Sequence, residues 1–265
     1  MTKKLYSPVL ISVPGVFCPY TLTKESVVEK MKNMRYGLRK MTLLDFPGKV
    51  ACTVFTCGCN FRCPFCHNAS LVRGRNEDME LSFDELFSFL EKRRKLLDGV
   101  AITGGEPLLH PGVRELLQAV KSLGYAVKLD TNGSFPEVLA GLIADKLVDY
   151  VAMDVKSSME RYELLCGRPG MEKLIEKSIE ILLKGEVEYE FRTTVVEELH
   201  EVADIESAAK LIAGAKRYFL QNFVETEDLL SPWSKFSGPG REKLLAMLAA
   251  AQKYVPAAAL RGVDL

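Results

Sequence analysis

The stretch VACTVFTCGCNFRCPFCHN, residues 50–68, opens as an apolar, β-rich run and closes on a loop crowded with cysteine. Val50–Thr56 reads as a buried strand, because short apolar runs of this kind belong to parallel sheets covered on their faces. Four thiols follow within ten residues: Cys57, Cys59, Cys63 and Cys66. Such clustering points to metal ligation in a reducing compartment rather than to disulfides. Cys59, Cys63 and Cys66 stand in C-x3-C-x2-C spacing. Three thiolates around an iron-sulfur cubane leave one iron without a protein ligand, which suits chemistry in which a substrate coordinates that iron. A zinc site needs four donors and would have to recruit Cys57 or His67, each closer to its neighbour than the usual gap between paired zinc ligands. Cys57 therefore reads as a spectator, and the isolated Cys18, Cys52 and Cys166 as small buried hydrophobes.

Outward from this stretch, β-rich runs alternate with segments of helical period, the pattern of repeated βα units around a parallel sheet. Further strands are expected at Val100–Thr103, Ala126–Asp130, Tyr150–Asp154, Tyr189–Val195 and Arg217–Asn222, six in all. Connecting helices are expected at Phe83–Leu97, Val113–Leu123, Pro136–Ala144, Met171–Lys184 and Val202–Ile212, with a last helix from about Gly240 to Tyr254. Ser82 is placed to cap the first of them and Gly124 to stop the second. Ser231–Gly240, rich in Pro and Gly, reads as a long loop. Residues 1–33 break the rhythm with Pro8, Pro14 and Pro19, only Lys24–Asn33 looking helical, so they are read as an N-terminal extension to a domain of residues 34–265.

At 265 residues the chain suits one large α/β domain. Lys plus Arg and Asp plus Glu both number 35, so no net field draws it to nucleic acid or to an anionic membrane. No apolar run approaches the roughly 20 residues of a membrane span. Lys3 and Lys4 ahead of Val9–Phe17 faintly suggest a secretory signal, but no small-residue cleavage site follows. A cytoplasmic enzyme is expected.

In a βα barrel, functional residues gather where strands end at the C-terminal face. Asp130 and Asp154 end two strands there, with Lys156 just beyond and Arg192 on the next strand. Thr103-Gly104-Gly105-Glu106-Pro107 follows another, its glycines suited to letting backbone approach a ligand. The bland alternatives are a simple turn for the glycines and for Asp130-Thr131-Asn132-Gly133, and a solvated arginine.

CNFRCPFCHN resembles the hallmark of the radical S-adenosylmethionine superfamily, with Phe65 as its aromatic. YGLRKMTLLDFPGK, VFTCGCNFRCPFCHNASLV, TGGEPLL, LDTNG, VAMDVK and FRTTVV are similar to the anaerobic ribonucleoside-triphosphate reductase activating proteins, over roughly Arg35 to Tyr254. The resemblance implies a partial (βα)6 TIM-like barrel, agreeing with the six strands. It implies a 4Fe-4S cluster on Cys59, Cys63 and Cys66, and S-adenosylmethionine chelated to the open iron. Phe65 would pack near the adenine, and the Gly104-Gly105-Glu106 edge would meet the methionine amine. Asp130, Thr131, Asp154 and Lys156 would surround the ligand carboxylate and a monovalent cation, Asn132 would also bind the cofactor, and Arg192 would touch the ligand. No side chain would serve as acid or base. Partners would be a large glycyl radical enzyme of the anaerobic ribonucleotide reductase type and a flavodoxin or ferredoxin. The sequence departs from relatives in reading FLQNF where they carry a histidine, so Gln221 or Asn222 is the expected substitute. Competing expectations are a radical enzyme acting on a small molecule or peptide, and a zinc-stabilised binding module.

Overall fold

A computed structural model describes residues 34–73, 81–225, 229–231 and 235–263. The N-terminal extension, with Cys18 and the expected Lys24–Asn33 helix, lies outside the described residues.

All six expected strands form, within a residue or two of the expected bounds: β2 (Ala51–Thr56), β3 (Gly99–Gly104), β4 (Ala126–Thr131), β5 (Tyr150–Asp154), β6 (Glu188–Val195) and β7 (Tyr218–Asn222). They pair in chain order and in parallel. The sheet holds eight strands rather than six. A first strand, β1 (Gly37–Thr42), pairs antiparallel with β2, and a last, β8 (Ala258–Arg261), pairs parallel with β7. Both are edge strands, and edges carry the charge and brevity that hide a strand's period. Among the described residues no pairing joins β8 to β1, so the barrel stays partial.

The helices cover the outer face: α1 (Ala69–Val72), α2 (Phe83–Arg93), α3 (Val113–Ser122), α4 (Pro136–Ala144), α5 (Tyr162–Cys166), α6 (Glu172–Leu183), α7 (Val202–Leu211) and α8 (Arg241–Gln252). Ser82 opens α2 with a reciprocal box, its hydroxyl accepting from Glu85 N while the Glu85 carboxylate accepts from Ser82 N at 2.8 Å. Gly124 follows α3 at φ +88°, a conformation that ends a helix cheaply only with glycine. None of these helices is long and apolar enough to cross a membrane.

Side chains alternate across each strand. Val127 and Leu129 of β4, Val151 and Met153 of β5, and Phe191 of β6 enter the apolar layer beneath the helices. The other parity faces the barrel axis and is polar: Lys128 and Asp130, Tyr150 and Asp154, Glu190 and Arg192. This inner polar column positions the site.

Candidate active site

At the C-terminal ends of the strands opens a cavity of about 200 Å³, lined by Cys59, Cys63, Cys66 and Phe65 on one side and by Asp130, Asp154, Lys156 and Arg192 on the other. The cysteine loop is held from three directions. Gly58 N donates to Leu71 O, Glu106 N to Gly58 O, and Arg62 N to Cys166 O, at 2.7 to 2.9 Å. Gly104 and Gly105 line the cavity too, and the protein's own packing also demands their lack of side chains. A Cβ on Gly104, at φ +118°, would collide with the backbone of Thr56, and one on Gly105 with the Gly58 carbonyl. The close crossing of this segment beneath the cysteine loop by itself requires glycine at both positions.

Glu106 is fully buried and absent from the cavity wall. Its carboxylate accepts from Leu108 N at 3.0 Å, Thr131 Oγ1 at 2.9 Å and Asn132 N at 2.6 Å, clamping the turn after β3 to the end of β4. Burial lifts its pKa to about 7 against those three bonds. Asn132 does face the cavity, its amide donating to Asn60 Oδ1 at 2.9 Å and approaching Cys59 Sγ at 3.8 Å. Thr131 lines the wall beside it.

The opposite wall is an unbroken chain of charge. Lys128 pairs with Asp130 Oδ1; Arg192 Nη1 reaches Asp130 Oδ2 at 3.1 Å and its Nε reaches Asp154 Oδ1 at 2.9 Å; Lys156 Nζ closes on Asp154 Oδ2 at 2.9 Å. Burial alone would raise the Asp154 carboxyl, but Arg192 and Lys156 outweigh it and hold it near a pKa of about 2. Asp130 is lowered in the same way, burial being overcome by Arg192 and Lys128. Both carboxylates are therefore ionised at neutral pH.

Phe65 stands edge-on to His200, ring centroids 6.1 Å apart. His200 Nδ1 accepts from Val196 N at 3.1 Å, so its Nε2 carries the proton and donates to Lys156 O at 2.8 Å. The imidazole thus anchors the backbone that carries Lys156. His67, weighed in the sequence only as a zinc ligand, lines the cavity with its ring 4.7 Å from Phe223, and its buried Nε2 has no hydrogen-bond partner among the described residues. Its signal was its place directly after Cys66. Thr194, two residues beyond Arg192 on β6, is a second wall residue the sequence left unmarked. Neither Gln221 nor Asn222 lines the cavity, and Cys57 lies off it; Cys52 and Cys166 are buried.

The donor set fits an iron-sulfur cluster. Burial pushes the Cys59 thiol up to about 11 and the Cys63 thiol up to about 12, so an electrophilic metal is what would hold them as thiolates. The three sulfurs open around a cavity, and among the described residues no group of three His, Cys, Asp or Glu closes tightly enough for a single ion.

A family model described as the radical SAM superfamily matches residues 53–212. A Methanocaldococcus jannaschii protein, named as a candidate glycyl-radical enzyme activating enzyme, is 33% identical over 88% of this chain and 98% of its own length. A 7-carboxy-7-deazaguanine synthase of Methanopyrus kandleri is 30% identical over 71% of this chain and 79% of its own. Among solved structures, SuiB of Streptococcus suis bound to S-adenosylmethionine superposes with a TM-score of 0.59 at 16% identity, over 78% of this chain. This chain spans 49% of SuiB, so that likeness speaks to the fold. The chain belongs to the radical SAM superfamily, whose members are enzymes that use a 4Fe-4S cluster and S-adenosylmethionine.

Proposed function

We propose that this radical SAM enzyme is an activating enzyme: it cleaves S-adenosylmethionine reductively and places a glycyl radical on a large partner enzyme of the anaerobic ribonucleotide reductase type. The observation that carries the reading is the meeting, in one cavity, of three thiols, Cys63 buried and Cys59 and Cys66 partly so, and a charged wall that suits an amino acid's carboxylate. The relative that aligns over 98% of its length supports the glycyl-radical subtype.

In this reading Cys59, Cys63 and Cys66 hold the cluster. When bound, it supplies the electron, received from a flavodoxin or ferredoxin, that breaks a carbon-sulfur bond of S-adenosylmethionine. The residues of the chain bind, orient and exclude water. Lys156 and Arg192 present the positive end of the wall to the ligand carboxylate. Phe65 offers an apolar face for the adenine. Asn132 steadies the cysteine loop through Asn60. No wall residue needs to exchange a proton, since the transferred atom is a hydrogen abstracted from glycine, giving 5'-deoxyadenosine and a backbone radical.

The test is anaerobic: reconstituted protein, S-adenosylmethionine, a reductant and the candidate reductase, followed by electron spin resonance. A glycyl doublet with matching 5'-deoxyadenosine is expected. Cleavage without a doublet would remove the activating role and leave the superfamily chemistry intact. The deazaguanine synthase relative favours a second reading, in which the substrate is a small molecule. Product formation from small heterocyclic substrates, with no need for a protein partner, distinguishes it.

A further inference from the structure

The resemblance that implies S-adenosylmethionine also implies a monovalent cation among Asp130, Thr131 and Asp154, and the residues present do not fit one. Every carboxylate oxygen of that pair already has a cationic partner from the chain. Lys128 sits on Asp130 Oδ1, Arg192 bridges Asp130 Oδ2 and Asp154 Oδ1, and Lys156 holds Asp154 Oδ2. A metal cation approaching any of these oxygens would meet a resident ammonium or guanidinium at contact distance, in a poorly screened interior.

Lys128 is the unexpected member. It lies mid-strand on β4, only 3% exposed, one pleat below Asp130 on the inner face of the barrel. A buried lysine survives only with a partner, and Asp130 is that partner. Glu190, also inward-facing, pairs with Arg261 at 2.8 Å and accepts from the Tyr150 hydroxyl at 2.7 Å. Within this chain of ion pairs three cations alternate with two carboxylates, an order with room for a ligand carboxylate as the third anion.

We infer that Lys128 is a built-in counter-charge that takes the place of a monovalent cation, so that this chain binds its carboxylate-bearing ligand without potassium or sodium. Lys128 is a positioning residue: it acts through Asp130 and does not line the cavity. The inference rests on the reading of the cavity as an S-adenosylmethionine site.

The experiment is equilibrium dialysis of labelled S-adenosylmethionine against the anaerobically reconstituted holoenzyme, in potassium, sodium or choline chloride at equal ionic strength. The wild-type Kd should stay within about twofold across the three salts, while Lys128→Met should bind about tenfold more weakly in choline and recover in potassium or sodium. Wild-type binding that weakens about tenfold when potassium is withdrawn would overturn the inference, as would Lys128→Met binding like wild type in choline. Should Lys128→Met not fold, Lys128→Arg, which keeps the charge, must remain salt-independent, and the wild-type salt series decides by itself. Binding that needs potassium sinks this inference alone; no binding in any salt sinks the S-adenosylmethionine reading and this inference with it.

Discussion

The inner face of the barrel carries two ionic assemblies, one above the other, and they are built to different ends. In the lower one, Glu190 is 1% exposed and fully paired by Arg261, at 2.8 and 3.2 Å, and by Tyr150. Arg261 also stacks over Phe219 at 3.7 Å. Neither Glu190 nor Arg261 lines the cavity. In the upper one, Lys128, Asp130, Arg192, Asp154 and Lys156 use the same chemistry but alternate three cations with two carboxylates beside the cavity. The closed pairing ties β6 to β8 and holds the sheet together. The open order has room for a ligand carboxylate.

That contrast can be broken, the largest effect lying at the upper end. Cys63→Ala should leave a folded chain with little bound iron and no 5'-deoxyadenosine above background, read by iron analysis and chromatography. Retained iron and turnover would mean the cluster sits elsewhere. Next, Arg192→Met removes the group shared by both upper carboxylates and should weaken S-adenosylmethionine binding about 100-fold in dialysis, about 2.7 kcal/mol. If its thermal midpoint falls as far as that of a lower-assembly variant while affinity holds, the two regions are not distinct. In the lower assembly, Arg261→Met should cost about 2 kcal/mol in denaturant unfolding, discounted for the arginine's partial exposure, with ligand affinity unchanged.

The smallest effect is acid sensitivity. Asp154 is held at about 2 in the fold, below the roughly 3.9 of an unfolded aspartate, so its contribution is present above about pH 4. It is lost as the pH falls toward about 2. Asp154→Asn should flatten that part of the stability curve, measured by unfolding from pH 5 downward; an unchanged slope would separate Asp154 from the charge chain.

Much of this could be read from the chain. β2 to β7 announced themselves as short runs of apolar, β-branched and aromatic residues between segments of helical period. β1 did not, since GLRKMT carries exposed Arg39, Lys40 and Met41, and β8 did not, being four residues at the far edge. Asp130 and Asp154 were legible from strand ends, Lys156 from its place just beyond, and Arg192 from the resemblance of FRTTVV, and the structure brings them to one wall. Lys128 was not, because a lone lysine in a strand looks like a solvent-facing residue unless the barrel closes around it. Gly104 and Gly105 were noticed, but not their crossing with Thr56 and Gly58: a sequence shows a missing side chain but not what lies opposite it. The fate of Glu106 was hidden likewise, as its three donors come from two separate turns.

The interlock of Gly104 and Gly105 with Thr56 and Gly58 makes two segments nearly fifty residues apart a single mechanical part. A chimaera that imports a relative's cysteine loop or TGGEP segment must keep glycine at both crossing positions, since any side chain there would drive the two segments apart.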